Sequence, residues 1–359
     1  MNILYINNVM DVGGVEKCII KLSKLMRANN KIVVATVGGK LEKELDLLNI
    51  KHYNLLNTDS KSPYTILKNL KIINKIIKEE KIDLVHSHHR MTTLYCKLLS
   101  KINNFKLIHT QHLCIEDKIR LTKLTLKNIP VITVSNSAKE NLVMKYGLSK
   151  SNIKTIYNTI ETTNNDYEID KQLKNLNDKD MFTIAHISRL VDYKGIYDYL
   201  EIAKQISKKD TNIRFVIIGS GPEEENIKNY IKNNNLQEHI FLLGNKSNII
   251  NQLKYINLVL LCSYIEGLPL VPIESFSQGV PVIGTNIGGT NEEVIHGKNG
   301  YLVDTKDING FIEKIMFIYE NKDVYDEMKE NSLEVYNEKF NEEQYYIKHI
   351  EFYSSILTK

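Results

Sequence analysis

The chain has 359 residues, more than one hydrophobic core usually organises, so the sequence predicts two domains. Its four cysteines are scattered without a C-x-x-C pair, which argues against a disulfide framework or a structural zinc site and favours a reducing compartment. The N-terminus has no basic segment before a long apolar run, and no apolar stretch approaches transmembrane length. We therefore expect a cytoplasmic protein.

Charge is distributed unevenly between the two halves of the chain. Residues 1–158 hold 26 Lys and Arg against 12 Asp and Glu, whereas the remainder holds 21 against 31. This asymmetry indicates an anionic partner of the first half. At 61–81, Lys68, Lys71 and Lys75 share a helical segment with apolar residues. The segment suits either an anionic membrane surface, with the protein peripheral at the inner face of the cell membrane, or a solvated helix in a Lys-rich chain.

In chain order, a first strand is predicted at 2–7 and a first helix at 15–28, with Gly13 and Gly14 between them. Glycines at such a turn let the backbone approach a ligand without a Cβ in the way. An ordinary tight turn explains them equally well from the residues alone.

Further strands are predicted at 31–37, 84–86, 106–109 and 131–134, each followed by a polar turn and a helical stretch. This alternation favours a parallel, doubly wound sheet, whose ligands lie at the carboxyl ends of the strands. Histidines follow two of these strands, namely His86, His88, His89, His109 and His112. Zinc is an alternative for such a cluster, but the spacings match no ligand pattern and Cys114 is the nearby thiol, so we expect no metal.

Residues 153–180 are rich in Asn, Asp and Thr and lack apolar periodicity, which is typical of a linker. Strands are predicted again at 181–186, at 214–218 and at 240–245, the last ending at Asn245. Arg189 and Lys194 follow the first of these strands, five positions apart, so both cationic groups can converge on one diphosphate. A surface pair on a turn is the alternative.

Two glutamates follow a predicted buried strand at 258–261. Glu266 lies in the next loop, and Glu274 lies eight positions later at the start of a short predicted helix, 273–278. Carboxylates would repel a phosphate, so they are better explained as acceptors for the hydroxyl groups of a sugar and of a ribose.

Backbone donors accompany these glutamates. A helix that begins close to Pro269 or Pro272 leaves N–H groups without an intrahelical partner, at the positive end of the helix dipole. Such groups bind phosphate. The donors predicted here are the backbone N–H groups of Gly267, Leu268, Leu270 and Val271.

In this stretch the chain resembles glycosyltransferase family 4, a family of retaining glycosyltransferases with the GT-B fold. The family pattern has two glutamates separated by seven residues, then G-x-P-V-I and a G-G-x-x-E tail that ends in N-G. The chain carries it at Ser263, Glu266, Gly267, Pro269, Glu274, Gly279, Pro281, Gly288, Gly289, Glu292, Val294, Asn299 and Gly300. Upstream, the family's G-R-L-x-x-x-K-G is kept at Arg189, Leu190, Lys194 and Gly195, with Ser188 in place of glycine.

The resemblance implies an α/β protein with the GT-B fold, in which two Rossmann-like, doubly wound domains face each other across a cleft. An acceptor-binding domain is expected at 1–158, and the C-terminal helix, within 340–359, is expected to cross back to it. A nucleotide-sugar-binding domain is expected at 159–339.

The implied function is a hexosyltransferase that moves a sugar from a nucleotide diphosphate sugar, expected to be a UDP-sugar, to a hydroxyl of a glycan acceptor. The acceptor is expected to be lipid-linked, in bacterial surface polysaccharide synthesis. The anomeric configuration would be retained by a front-side route in which a donor phosphate oxygen receives the acceptor's proton. Neither a metal, a cofactor nor a nucleic acid is implied.

Residue roles follow from the same resemblance. Arg189 and Lys194 would neutralise the diphosphate, Glu266 would bind sugar hydroxyls and Glu274 the ribose. His112, in a T-x-H context, would reach the donor sugar, with His109 as the second choice. Gly13 and Gly14 would form the first domain's loop at the cleft, and Asn245 would lie beneath the nucleotide base.

Two other functions remain open on this fold. A sugar-nucleotide epimerase would consume a UDP-sugar without an acceptor. A degenerate partner subunit would bind a catalytic transferase, although an intact set of Arg189, Lys194, Glu266 and Glu274 argues against the loss of chemistry.

Overall fold

The structure is a computed structural model that describes residues 1–11, 13–114, 117–160, 168–209, 212–246 and 248–358. The chain divides into two compact units, the first comprising Met1–Thr159 and Glu342–Lys359 and the second Ile160–Asn341. The sequence-based bounds, 1–158 with 340–359 and 159–339, fall beside these. Residues 161–167, in the middle of the predicted linker, lie outside the described part of the chain.

A parallel sheet forms the centre of the first unit. Its strands are β1 (Asn2–Ile6), β2 (Lys31–Thr36), β3 (Lys51–Asn54), β4 (Leu84–Ser87), β5 (Lys106–Gln111), β6 (Val131–Thr133) and β7 (Ile153–Thr155). Within the described residues they pair in the order β3-β2-β1-β4-β5-β6-β7. Ile3, Leu4, Tyr5 and Ile6 are all buried, because helices cover both faces of such a sheet.

The helices of the first unit are α1 (Gly14–Met26), α2 (Glu42–Leu47), α3 (Pro63–Glu79), α4 (Arg90–Leu99), α5 (Ile119–Leu126), α6 (Asn136–Tyr146) and the C-terminal α15 (Glu342–Leu357). Tyr353 of α15 packs with Ile3 and Ile19 in one apolar core. Ile73 of α3 and Tyr95 of α4 belong to a second core, on the other face of the sheet. The C-terminal helix is therefore part of the first unit, as the resemblance implied.

A second parallel sheet forms the centre of the second unit. Its strands are β8 (Phe182–Ile187), β9 (Ile213–Ile218), β10 (Ile240–Gly244), β11 (Leu258–Leu261), β12 (Val282–Thr285) and β13 (Gly300–Val303). Among the residues that the structure describes, they pair in the order β10-β9-β8-β11-β12-β13. The helices are α7 (Lys171–Asp178), α8 (Ile196–Ser207), α9 (Glu224–Asn233), α10 (Ile249–Leu253), α11 (Leu270–Phe276), α12 (Thr290–Glu293), α13 (Ile308–Glu320) and α14 (Lys322–Val335).

The linker prediction was wrong at both of its ends. Ile153–Thr155 forms the edge strand β7, and α7 buries Leu173 and Leu176 against the second unit. Both elements are short and mostly polar, so their apolar periodicity is too weak to separate them from a loop.

Each sheet has the doubly wound order that the sequence predicts. β1 pairs with β4 in the first unit, and β8 pairs with β11 in the second. At these two places the order of the strands reverses, so the loops that follow the paired strands separate and leave a crevice at the carboxyl edge. In the second unit the two loops are 188–195 and 262–269.

Candidate active site

The loop that follows β8 is fixed against the loop that follows β11. The backbone N–H of Tyr264 donates a hydrogen bond to the carbonyl oxygen of Tyr193, at 2.9 Å. Gly195 has a φ of +69°, and a Cβ there would overlap the carbonyl oxygen of Cys262. Glycine is therefore required at this position both by the left-handed backbone and by the lack of space.

The other side of the β8 loop rests on the glycine-rich turn that follows β9. The backbone N–H of Leu190 donates to the carbonyl oxygen of Ser220, at 3.0 Å. A Cβ at Gly221 would overlap the carbonyl oxygen of Leu190. The turn thus supports the loop that carries Arg189 and Lys194.

The two loops bring Lys194 and Glu266 together, although they are 72 residues apart in the chain. Lys194 Nζ donates to Glu266 Oε1 at 2.6 Å, and the two side chains are 21% and 5% exposed. The sequence predicted Lys194 beside Arg189 on a diphosphate and did not predict this ion pair. Arg189 lies on the same loop with an exposed side chain.

Helix α11 presents the second predicted glutamate. It begins three residues before the predicted 273–278, with Pro269 as its N-cap. Glu274 is buried within the helix. The N–H groups of Leu270 and Val271 belong to the first turn, where the helix has no acceptor for them. Both residues are partly buried, whereas Gly267 and Leu268, just before the helix, are buried.

Sequence reasoning missed a third carboxyl group near this loop. Glu293, the last residue of α12, is fully buried. Neither of its carboxyl oxygens has a hydrogen-bond partner among the described residues. Burial raises the pKa of Glu293 well above its ordinary value, and the charges of Glu266 and Glu292 raise it further. The available signal was a second glutamate directly after the motif position Glu292, on the same face as the buried Thr290.

Histidines form a stack at the carboxyl ends of β4 and β5 in the first unit. His88 Nδ1 and His112 Nε2 are hydrogen-bonded at 2.9 Å, and the ring of His88 lies 4.3 Å from that of His86. His86 is held by the hydroxyl groups of Tyr353, at 2.7 Å, and Thr110, at 2.6 Å. Burial lowers the pKa of His112 to about 3, so its imidazole is neutral at physiological pH and acts as a hydrogen-bonding group.

His109, the second choice, points to the opposite face of β5. Its Nδ1 is hydrogen-bonded to the hydroxyl of Thr93 in α4, at 2.8 Å, and its Nε2 lies 3.3 Å from Gln111 Oε1. Both ring nitrogens are therefore used inside the first unit. In the described ranges, no group of three or more His, Cys, Asp or Glu side chains is arranged to hold a metal ion.

The remaining predicted residues are backbone positions and an exposed amide. Gly13 is the N-cap of α1 with an extended backbone, and a Cβ there would overlap the carboxyl group of Glu16. Gly14 is the first residue of the helix and is exposed. Asn245 is exposed directly after β10.

The fold matches solved structures of glycosyltransferases along its whole length. The Anabaena protein HepE, in complex with UDP, superimposes with a TM-score of 0.87 at 20% identity, over 99% of this chain and all of that one. Two Rossmann-like units, each built on a parallel sheet, characterise the GT-B class of glycosyltransferases.

Family models identify both units. The model of the glycosyl transferases group 1 matches residues 168–335, and the model of Glycosyltransferase Family 4 matches residues 12–164. The chain belongs to glycosyltransferase family 4 and is a hexosyltransferase.

Two relatives illustrate the range of the family. An uncharacterized glycosyltransferase of Methanocaldococcus jannaschii is 30% identical over 72% of this chain and 68% of its own length. The Escherichia coli UDP-Gal:alpha-D-GlcNAc-diphosphoundecaprenol alpha-1,3-galactosyltransferase is 28% identical over 71% of each chain.

Proposed function

We propose that this protein is a retaining, metal-independent glycosyltransferase that transfers a sugar from a UDP-sugar to a hydroxyl group of a lipid-linked glycan. The observation that carries the proposal is the pair of Lys194 and Glu266 at the exits of β8 and β11. A cation for the phosphates and a carboxylate for the sugar hydroxyls are needed side by side, because the bond that breaks joins the sugar to the diphosphate.

Lys194 and Arg189 would neutralise the charge that grows on the leaving nucleoside diphosphate. Arg189 supplies a bidentate guanidinium fork and Lys194 a compact charge. Preorganised cations of this kind stabilise a developing anion without reorganisation at the moment of reaction. They provide the charge that other transferases obtain from a divalent cation, which supports metal-independent chemistry.

Glu266 would accept hydrogen bonds from hydroxyl groups of the donor sugar, and Glu274 from the ribose. The backbone N–H groups of Gly267, Leu268, Leu270 and Val271 would assist at the phosphates. Asn245 would lie beneath the base. In the first unit, His112 as a neutral hydrogen-bonding imidazole and the Gly13-Gly14 turn are the residues proposed to act on the donor.

Retention would follow from a front-side reaction. The acceptor hydroxyl attacks the anomeric carbon on the face from which the diphosphate leaves, and its proton passes to a donor phosphate oxygen. The atoms balance without a covalent enzyme intermediate, so no side-chain nucleophile is required. Proton NMR of the product would give an axial or equatorial anomeric proton that matches the donor if the reaction is retaining.

A relative's name supports the substrates. The Escherichia coli galactosyltransferase named above uses UDP-Gal and an acceptor attached to diphosphoundecaprenol. A UDP-sugar donor and an acceptor of that chemistry, in bacterial surface polysaccharide synthesis, are the substrates we propose.

An anionic membrane surface would present such an acceptor to the first unit. Lys68, Lys71, Lys75 and Lys78 of α3 are exposed, and Tyr64 and Leu67 of the same helix are 68% and 59% exposed. Exposed apolar groups among lysines are typical of a helix that lies on an anionic bilayer. In the described part of the chain, no helix combines the length and the apolar composition needed to cross a membrane. We propose peripheral association with the cytoplasmic face.

Nucleotide release from a panel of UDP-, GDP- and ADP-sugars, in EDTA and with or without bacterial lipid extract, tests the function. We expect release from a UDP-sugar that rises with the extract. Conversion of the UDP-sugar into a different UDP-sugar, in the absence of any acceptor, would identify an epimerase instead. If no donor releases its nucleotide and no nucleotide changes the Tm of the protein, the protein is a partner subunit.

Vesicle flotation tests the membrane surface separately. Lys68→Gln with Lys71→Gln should weaken binding to anionic vesicles at low salt, whereas Lys208→Gln with Lys209→Gln, exposed in the second unit, should not. Membrane association would be contradicted if both variants floated equally with the vesicles. It would also be contradicted if the wild type did not float with the vesicles and acted on a free oligosaccharide.

A further inference from the structure

Glu293 is an unusual residue for the place that it occupies. Its side chain is fully buried, and neither carboxyl oxygen has a hydrogen-bond partner among the described residues. An isolated polar group that is removed from water costs free energy unless a partner compensates it. None of the roles described above uses this group.

The packing of α12 places the start of this helix against the loop of Glu266. Gly289 precedes α12 with a φ of +89°, and a Cβ there would overlap the carbonyl oxygen of Gly267, the residue after Glu266. On the other side, a Cβ at Gly284 of β12 would lie 2.7 Å from the side-chain methyl of Thr290. Close contacts on both sides leave α12 little freedom to shift.

Glu266 and Glu293 have different electrostatic surroundings. Glu266 Oε1 accepts a hydrogen bond from the ammonium group of Lys194 at 2.6 Å. Glu293 faces the negative charges of Glu266 and Glu292 in a fully buried place. Burial and these charges raise the pKa of Glu293 well above its ordinary value, which favours its neutral form.

We propose that Glu293 is a positioning residue, a neutral carboxylic acid that donates a hydrogen bond to Glu266 when Lys194 turns to the donor diphosphate. The inference rests on the proposed function. A diphosphate carries more negative charge than one carboxylate and attracts Lys194, so the buried Glu266 would lose its partner at the moment when it has to orient the sugar. The acid O–H of Glu293 replaces that partner and holds one carboxylate oxygen, which leaves the other for the sugar hydroxyls.

Three variants test this role. Glu293→Gln keeps a hydrogen-bond donor without an ionisable group, and its kcat should stay within about twofold of the wild type. Glu293→Leu keeps the volume but removes the donor, and should lower kcat roughly tenfold to hundredfold with a smaller change in the donor KM. Asn291→Leu, at an exposed position of the same helix, should leave kcat unchanged. A Glu293→Leu enzyme with wild-type kcat, or a Glu293→Gln enzyme as impaired as the leucine variant, would overturn the proposal.

A melting comparison reads the protonation state without activity. A buried acid whose pKa is raised in the folded protein reduces the free energy of unfolding once it loses its proton in the unfolded state. The folded protein therefore loses stability as the pH rises above the ordinary pKa of 4.5. The Tm of Glu293→Gln should therefore exceed that of the wild type increasingly from pH 5 to pH 8. A constant difference would overturn the assignment of the proton to Glu293.

The two claims fail in different ways. If the wild type turns over a UDP-sugar and Glu293→Leu does so equally well, the role of Glu293 is refuted and the proposed function stands. If the wild type turns over no nucleotide sugar and no nucleotide shifts its Tm, the proposed function is refuted and this role with it.

Discussion

Lys194→Met removes one ammonium group from the proposed diphosphate site and keeps most of the side-chain volume. It also leaves the carboxylate of Glu266, 5% exposed, without its partner at 2.6 Å. The substitution therefore has two separable effects, one on the reaction and one on stability.

Both effects have a magnitude that the structure sets. The loss of one charge that stabilises the leaving diphosphate should cost about 2–4 kcal/mol of transition-state stabilisation, which is a fall of roughly 30-fold to 1,000-fold in kcat. A buried charge left without its partner should cost about 1–3 kcal/mol of folding free energy. Lys194 is 21% exposed, so water replaces part of the lost interaction and the lower end of that range applies.

Donor turnover in EDTA and urea unfolding measure the two effects on the same protein samples. Lys228→Met is a matched control, because Lys228 also pairs with glutamates in the second unit but does so at the surface, where it is 48% exposed. Surface pairs contribute little, so the control should keep both kcat and stability. The double variant Lys194→Met with Glu266→Gln should regain stability and stay inactive. An unchanged kcat in Lys194→Met would refute the reasoning.

Three further predictions concern the framework around the site. Gly195→Ala and Gly244→Ala place alanine at the same φ of +69°, but at Gly195 the Cβ meets a carbonyl oxygen and at Gly244 it meets nothing within 4 Å. In thermal melts, Gly244→Ala should lower the free energy of unfolding by about 1–2 kcal/mol, and Gly195→Ala should lower it clearly more. Equal losses of stability would contradict the packing of the β8 loop. Two lysines and a tyrosine lower the pKa of Glu80 to about 2, so the stability that this carboxylate contributes is present above pH 4.5 and is lost as the pH falls toward 2. The difference in Tm between the wild type and Glu80→Gln should therefore shrink over that range. A constant difference in Tm would be contrary evidence. Tyr353→Phe removes the hydroxyl bonded to His86 and should cost about 1–3 kcal/mol in urea unfolding, whereas a variant as stable as the wild type would show that this bond contributes nothing.

The sequence predicted the sheets well because buried parallel strands are short apolar runs. Ile3–Ile6 and Leu258–Leu261, for example, stand out from their polar turns. Strands β3 and β7 were missed, since most of their residues are polar and partly or fully exposed. Strands β12 and β13 were not predicted either. Pairing order is also beyond local patterns, because it depends on contacts between residues far apart in the chain.

The site was predicted as a set of residues and not as a set of contacts. The motif spacing predicted Arg189, Lys194, Glu266 and Glu274 as site residues, but a spacing along the chain does not show which side chains meet across two loops. The ion pair between Lys194 and Glu266 depends on the pairing of β8 with β11. The burial of Glu293 likewise depends on how α12 packs, which a pattern of four helical residues does not reveal.

On the proposed function, the loops at the exits of β8 and β11 bind a nucleoside diphosphate without a metal ion. Titration calorimetry with UDP in EDTA measures this binding, with the wild type, Arg189→Met and Lys228→Met compared at the same ionic strength. We expect the wild type and Lys228→Met to bind UDP equally well and Arg189→Met to bind it at least about tenfold more weakly, because a charge-assisted contact to phosphate is lost. Equal affinity in all three proteins, or UDP binding that requires a divalent cation, would contradict it.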